Sequence, residues 1–234
     1  MKLLLVIARK EFLQAIRNKG VMVAAFIFAI WFPVFTTLGV LTGISGDPGT
    51  ALGGHLANLS VVLAIFMGYL FSSDAFFREK KDGTIMTFLC APVSLRQIWE
   101  GKVIGVSMAA YGMTILSVLI TVAVAILLSP VGITLPLLLL VHVFVILPIY
   151  AAASAGVIGA AQLYLGMREN QFLGMGFIFL FIFMVFGLQV LISPEGGITI
   201  LTEVFFGLMG IVLLLVGRRW AGRLSKERIV RTIA

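Results

Sequence analysis

Charge is what this sequence has least of. Asp, Glu, Lys and Arg make up 12% of its 234 residues, where a soluble domain carries about 25%. Apolar residues make up 61% and the mean hydropathy is +1.15. That balance excludes an ordinary water-soluble fold and indicates an integral membrane protein. Cysteine is nearly absent. Cys90 stands alone, so the chain forms no internal disulfide, and the residue reads as a small apolar side chain. The two histidines, His55 and His142, lie far apart with no carboxylate or cysteine at ligand spacing, so no metal site is expected. There is no phosphate-binding loop either. Gly101-Lys102 is followed by Val103 and lacks the upstream glycine of that motif.

Charges inside the apolar runs are scarcer still. An ionised group at mid-span costs roughly 2.5–3.5 kcal/mol, against about 0.3–0.6 returned by each large apolar residue. Asp74 and Glu203 fall near span ends and are expected to reach the interface. Glu195 and Glu203 together suggest an acidic outer rim. No Glu–His or Asp–Asp pair lies within a span, and neither histidine is expected beside a serine. This argues against an intramembrane protease and against a carrier driven by protons or sodium, which needs buried ionisable groups. Active transport by such a chain draws its energy from another polypeptide.

What is present is a series of apolar runs. Six spans are expected, at about Val21–Leu41, Leu56–Ser73, Val103–Leu128, Leu135–Ala161, Phe172–Ile192 and Ile198–Gly217. The fold class is therefore an all-α membrane protein, a single transmembrane domain over 1–234, with no internal repeat. Pro33 and Pro148 are expected to kink their spans, with neighbours satisfying the freed carbonyls. Asp47-Pro48-Gly49 and Ser129-Pro130-Val131-Gly132 read as turns. Residues 2–19 read as an amphipathic interfacial helix, with Leu5, Ala8, Phe12 and Ile16 on one face and Lys10, Gln14 and Arg17 on the other. Its apolar run, Leu3–Ala8, is too short for a signal peptide.

The cations give the orientation. All 17 Lys and Arg fall before span one, after span two, after span four or in the basic tail, Arg218–Ala234. Six spans place these four segments on one side, the cytoplasm by the positive-inside rule, with both termini there. A net charge of +7 then serves topology and lipid headgroups rather than nucleic acid. Trp99 and Trp220 are expected at that interface. Small residues mark close packing: Gly39-x-x-x-Gly43, Gly101-x-x-x-Gly105 and the run AAASAGVIGAA at Ala151–Ala161.

The most informative stretch is the charged segment from Phe76 to Gly105. Asp82-Gly83 reads as a turn. Pro92 breaks any helix at Ala91, and Ser94 with Gln97 forms a capping box for the next one. Glu79, Gly83-Thr84, Leu89, Pro92-Val93-Ser94, Arg96 and Gly101-Lys102 resemble the segment between the second and third spans of ABC exporter permeases of the type-2 family. Two positions differ from that pattern: Met86 stands where an acidic residue is common, and Leu95 displaces the arginine after Pro-Val-Ser.

The resemblance implies a cytoplasmic coupling helix docking on a separate ATPase, with Glu79, Lys80, Lys81, Asp82, Gly83, Thr84, Leu89 and Pro92 as transmitting residues. It also implies an amino-terminal elbow helix with Arg9, Lys10, Phe12 and Arg17 at the contact. The assembly it implies is two permease subunits, identical or different, over two ATPase subunits. Those subunits hold ATP and Mg²⁺, and this chain binds no cofactor and catalyses nothing. Ser193–Glu203 is shorter than the family's usual outer segment. An apolar or amphiphilic cargo suits the Phe- and Met-rich spans. Haem export or cytochrome maturation, an ATPase-independent carrier or channel, and a membrane enzyme or assembly subunit stay open as alternatives.

Overall fold

The computed structural model describes residues 2–43, 48–90, 93–128, 136–170, 176, 179–180, 183 and 198–232. All regular structure among them is helical. α1 is Lys2–Arg17, α2 Lys19–Gly43 and α3 Pro48–Ser72. A widened π turn, Ser73–Arg78, leads into α4, Glu79–Lys81. α5 is Ile85–Cys90, and α6 runs unbroken from Leu95–Leu128. α7, Leu138–Val141, passes through a second π turn, His142–Ile146, into α8, Leu147–Tyr164. α9 is Ile200–Ala221 and α10 Lys226–Arg231.

Five described helical stretches are long and apolar enough to cross a membrane: Lys19–Gly43, Ala51–Lys81, Leu95–Leu128, Leu138–Tyr164 and Ile200–Ala221. Most of the expected span at 172–192, together with Asp47, Pro92 and Glu195, lies outside the described residues. Pro48 begins α3 instead of sitting in a turn, in keeping with the tolerance of proline in a helix's first turn.

The spans pack through small residues. α2 buries Ala25, Ala29, Pro33 and Thr37 at four-residue spacing, while Ile27, Trp31 and Phe35 face outward. Pro33 has no N–H for the Ala29 carbonyl four residues back. Ser117 of α6 supplies the donor at 3.0 Å. The second π turn is resolved the same way. In a five-residue turn the Val143 carbonyl looks to the N–H that Pro148 lacks, and the Tyr111 hydroxyl donates to it instead at 3.2 Å. Within Ala151–Ala161, Gly156 makes room for Trp99 and Gly159 for the Phe76 ring. That run therefore seats its own chain's side chains. Trp99 is buried there, its indole N–H donating to the Gly156 carbonyl at 3.3 Å.

α2, α3, α6 and α8 alternate in direction, and α9 runs the same way as α8. Asn18–Asp74, Lys102–Glu79 and Lys80–Leu165 contacts gather one set of ends. Ser60–His142–Glu203 contacts gather the opposite set.

Candidate functional site

At the charged end, α1 packs across the start of α6. A Cβ on Gly101 would lie 2.7 Å from Ile7, and one on Gly105 would strike the Ala8 carbonyl. The two glycines are therefore the seat of α1. The face α1 turns inward is Ile7, Ala8, Glu11 and Ala15, whereas Leu5 and Ile16 are exposed. The apolar stripe expected from Leu5 to Ile16 is divided: Ala8 and Phe12 turn to the core, while Leu5 and Ile16 face outward.

Glu11, 2% exposed, enters this contact as a charge. Lys102 Nζ, on α6 between the two glycines, lies 3.0 Å from Glu11 Oε1 and 2.8 Å from Glu79 Oε2. It donates to the Ala75 carbonyl of the π turn at 3.0 Å and stands over the Phe76 ring, 5.5 Å from its centre. Its approach to Glu79 Oε2 is ionic, at an angle outside hydrogen-bond geometry. Lys10, half exposed, closes the group at 3.0 Å from Glu11 and 3.3 Å from Glu79. Partial burial pulls the Lys10 pKa down, but Glu11 and Glu79 outweigh it and leave it above the ordinary lysine value. Two carboxylates meet two ammonium groups, so the cluster is charge-neutral. Buried charges persist only when paired in this way. It joins α1, the segment after α3, and α6.

Lys80 is also buried, at 0% exposure. Its three donors reach the carbonyls of Gln162, Leu163 and Leu165 at 3.2, 3.3 and 2.5 Å. A cation is favoured at a helix C-terminus, where carbonyls have no intrahelical partner. Glu79 and Lys80 therefore face inward and fix the segment instead of presenting charge to a partner. Lys81, Asp82 and Thr84 are exposed. Gly83 turns the chain with φ +70°, a conformation that favours glycine. Ile85 then anchors α5 in the core cluster that also holds Trp99 and Ile229. The capping box is present: Gln97 N–H donates to Ser94 Oγ at 3.2 Å, and Ser94 N–H to Gln97 Oε1 at 3.3 Å.

A family model described as "ABC-2 family transporter protein" matches residues 7–187. The chain belongs to the ABC-2 transporter family. Over 103 residues it is 31% identical to a protein of Stutzerimonas stutzeri named "Probable ABC transporter permease protein NosY". That match covers 42% of this chain and 37% of the relative's own length.

The opposite end of this ABC-2 permease holds a second buried polar group that corrects two expectations. Glu203, 5% exposed, is not on a rim. Its carboxylate oxygens lie 2.9 and 3.1 Å from His142 Nδ1, and His142 Nε2 lies 3.2 Å from Ser60 Oγ. A histidine is thus beside a serine, and an ionisable pair does lie within the spans. The order serine, histidine, carboxylate is that of a hydrolase triad, but nucleophilic chemistry does not follow. Ser60 is 2% exposed, and its hydroxyl has the Ala57 carbonyl 3.0 Å away. The backbone N–H groups around it lie inside helix α3, where they serve the helix and not an oxyanion. A third His, Cys, Asp or Glu to complete a metal site is absent among the described residues. The group instead ties α3, the second π turn and α9.

Glu11 and His142 were given no role from the sequence, and Lys102 entered only through the Gly101-Lys102 of the family resemblance. Lys102 also falls inside a visible signal, the Gly101-x-x-x-Gly105 spacing.

Proposed function

We propose that this permease is the membrane subunit of an ATP-driven exporter, worked by a separate ATPase that pushes on the exposed turn Lys81–Thr84 and on α5. The observation that carries this reading is the neutral Glu11–Glu79–Lys102–Lys10 cluster directly behind that turn. A displacement of the turn pulls on Glu79, and through Lys102 moves α6 and α1 together. Buried ion pairs transmit such a push because separating them is costly. All Lys and Arg of the described helices gather at this end, which favours its assignment to the cytoplasm. α8 ends at the charged end and α9 begins at the opposite one, which favours a sixth crossing between them. The assembly would contain a second permease subunit, and an apolar or amphiphilic cargo suits the outward-facing Phe and Trp side chains of α2.

The test is co-purification with the ATPase, followed by Gly83→Pro. Proline cannot adopt φ +70°, so the turn must change shape. ATP hydrolysis is expected to continue while cargo movement falls at least tenfold. Full coupling in this variant would end the proposed route. A second reading, a carrier that binds a proton, is favoured by the buried His142–Glu203 pair. Nucleotide-free uphill flux by the reconstituted chain would establish it.

A further inference from the structure

Alongside α1 lies a cleft of about 790 Å³ that the transmission reading does not use. Arg9 and Arg17 of α1, Lys19 at the start of α2 and Arg78 of the first π turn line it, with Lys10 at its inner side. All five are cations, and no carboxylate lines the cleft among the described residues. Val6 and Leu13 add an apolar wall.

Its depth follows from α2. That helix begins at Lys19 and carries no further charge to Gly43, so the cleft opens within a turn of where the chain enters hydrocarbon. Around it α1 exposes Leu3, Leu5, Val6 and Ile16, at 47, 59, 63 and 44%. Apolar side chains beside cations on one helix belong at the boundary between headgroups and acyl chains. An acidic protein surface would answer the cations but not the apolar wall. An anionic lipid answers both, with phosphate on the cations and methylenes on Val6 and Leu13.

We propose that this cleft is a binding site for the headgroup of an anionic phospholipid, its phosphate held among Arg17, Lys19 and Arg78. Two of the cleft's cations are shared with the interior. Lys10 bridges Glu11 and Glu79, and Arg78 pairs with Asp74 at 2.9 Å. A headgroup with its phosphate on Arg78 and its other oxygens drawing on Lys10 leaves Asp74 to Asn18, 2.7 Å away, and leaves Glu11 and Glu79 to Lys102. The bound lipid therefore bears on the cluster that joins α1 to α6.

The test uses the full-length chain in nanodiscs of phosphatidylglycerol mixed with phosphatidylcholine, released into mild detergent for native mass spectrometry. Wild type is expected to retain phosphatidylglycerol in preference to phosphatidylcholine, and to lose it as salt is raised. The variant Arg9→Gln/Arg17→Gln/Lys19→Gln is expected to lose about fivefold in occupancy per cation removed. The charge-keeping Arg9→Lys/Arg17→Lys variant keeps most of it. A tail variant of equal charge loss, Arg219→Gln/Arg223→Gln/Arg231→Gln, keeps it all. Thermal unfolding of each variant reports whether it folds, and the wild-type preference decides the matter if the glutamine variant does not. Equal retention of both lipids overturns the proposal, as does equal loss in the tail variant. Displacement by soluble glycerol phosphate shows a site for a free anion and overturns it too. So does wild type holding no lipid while the glutamine variant loses its ATPase, which shows an acidic protein partner.

Discussion

The two ends of the molecule bury polar groups in opposite ways. At the charged end, Lys102 meets two carboxylates and Lys10 completes neutrality from a position half in solvent. At the other end, one imidazole and one carboxylate face each other with a serine hydroxyl behind, all buried. The first cluster has a water-exposed member and adjoins an exposed turn, so a partner can reach it. The second has no exposed member. On the proposed function, the difference separates a joint placed to receive a push from a joint that only holds helices together.

The sharpest way to break that contrast is Lys102→Met. It strands two carboxylates that only Lys10 can then serve, and the expected cost is about 3–5 kcal/mol. Thermal unfolding in detergent measures it. Adding Glu11→Gln and Glu79→Gln removes the stranded charges, and the triple variant is expected to regain most of the loss. If Lys102→Met leaves the midpoint unchanged, the cluster is not closed as described.

His142→Phe at the other end comes next. It leaves the Glu203 carboxyl inside with its main partner gone. The expected cost is about 1–3 kcal/mol, less than for Lys102→Met because one acid is stranded instead of two. Glu203→Gln, which keeps a hydrogen-bonding group opposite His142, is expected to cost less than half as much. The exposed turn offers a check on function: His142→Phe should leave cargo movement coupled to ATP hydrolysis, whereas a change at a joint that receives the push would uncouple them.

These two clusters also show what the sequence could and could not reveal. Local signals were readable. Ser94 and Gln97 stand three apart, and the capping box forms between them. Asp82-Gly83 marks a turn, and Gly83 has the positive φ. Membrane character and family were plain from composition and from the Phe76–Gly105 pattern. The partners of buried charges were not readable. Glu11, Glu79 and Lys102 come from three separate segments, as do Ser60, His142 and Glu203, and no periodicity links such positions. A span-end glutamate looks solvated until the helix that covers it is known. The apolar stripe of α1 divides for the same reason: Ala8 and Phe12 turn to the core and Leu5 and Ile16 stay outward, while the glycine seat on α6 adds Ile7 and Glu11 to the packed face.

Between the two ends, Pro33 links sequence and packing in a way that a cycle of variants can measure. Ser117→Ala leaves the Ala29 carbonyl without the donor it now has at 3.0 Å. The expected loss is about 1–3 kcal/mol, the cost of an unpaired buried polar group. In a Pro33→Ala background the helix regains the missing N–H, and Ser117→Ala should then cost a few tenths of that. A loss of equal size in both backgrounds would show that Ser117 acts through packing and not through the carbonyl freed by proline.

The smallest effect is expected at the start of α6, on the exposed side of the charged end. Ser94→Ala removes one half of the capping box, whose hydrogen bonds are 3.2 and 3.3 Å long and lie in solvent. An N-cap of this kind contributes about 0.5–2 kcal/mol, and its exposure places it near the low end. The loss should be local. Hydrogen exchange at the first turn, Leu95–Ile98, is expected to quicken severalfold while exchange around Lys102 stays as it was. The reason is that Gly101 and Gly105 hold the next two turns of α6 against α1, and Lys102 is pinned to three elements. Fraying that spreads past Lys102 would mean that the cap, and not the charge cluster, secures this end of the helix.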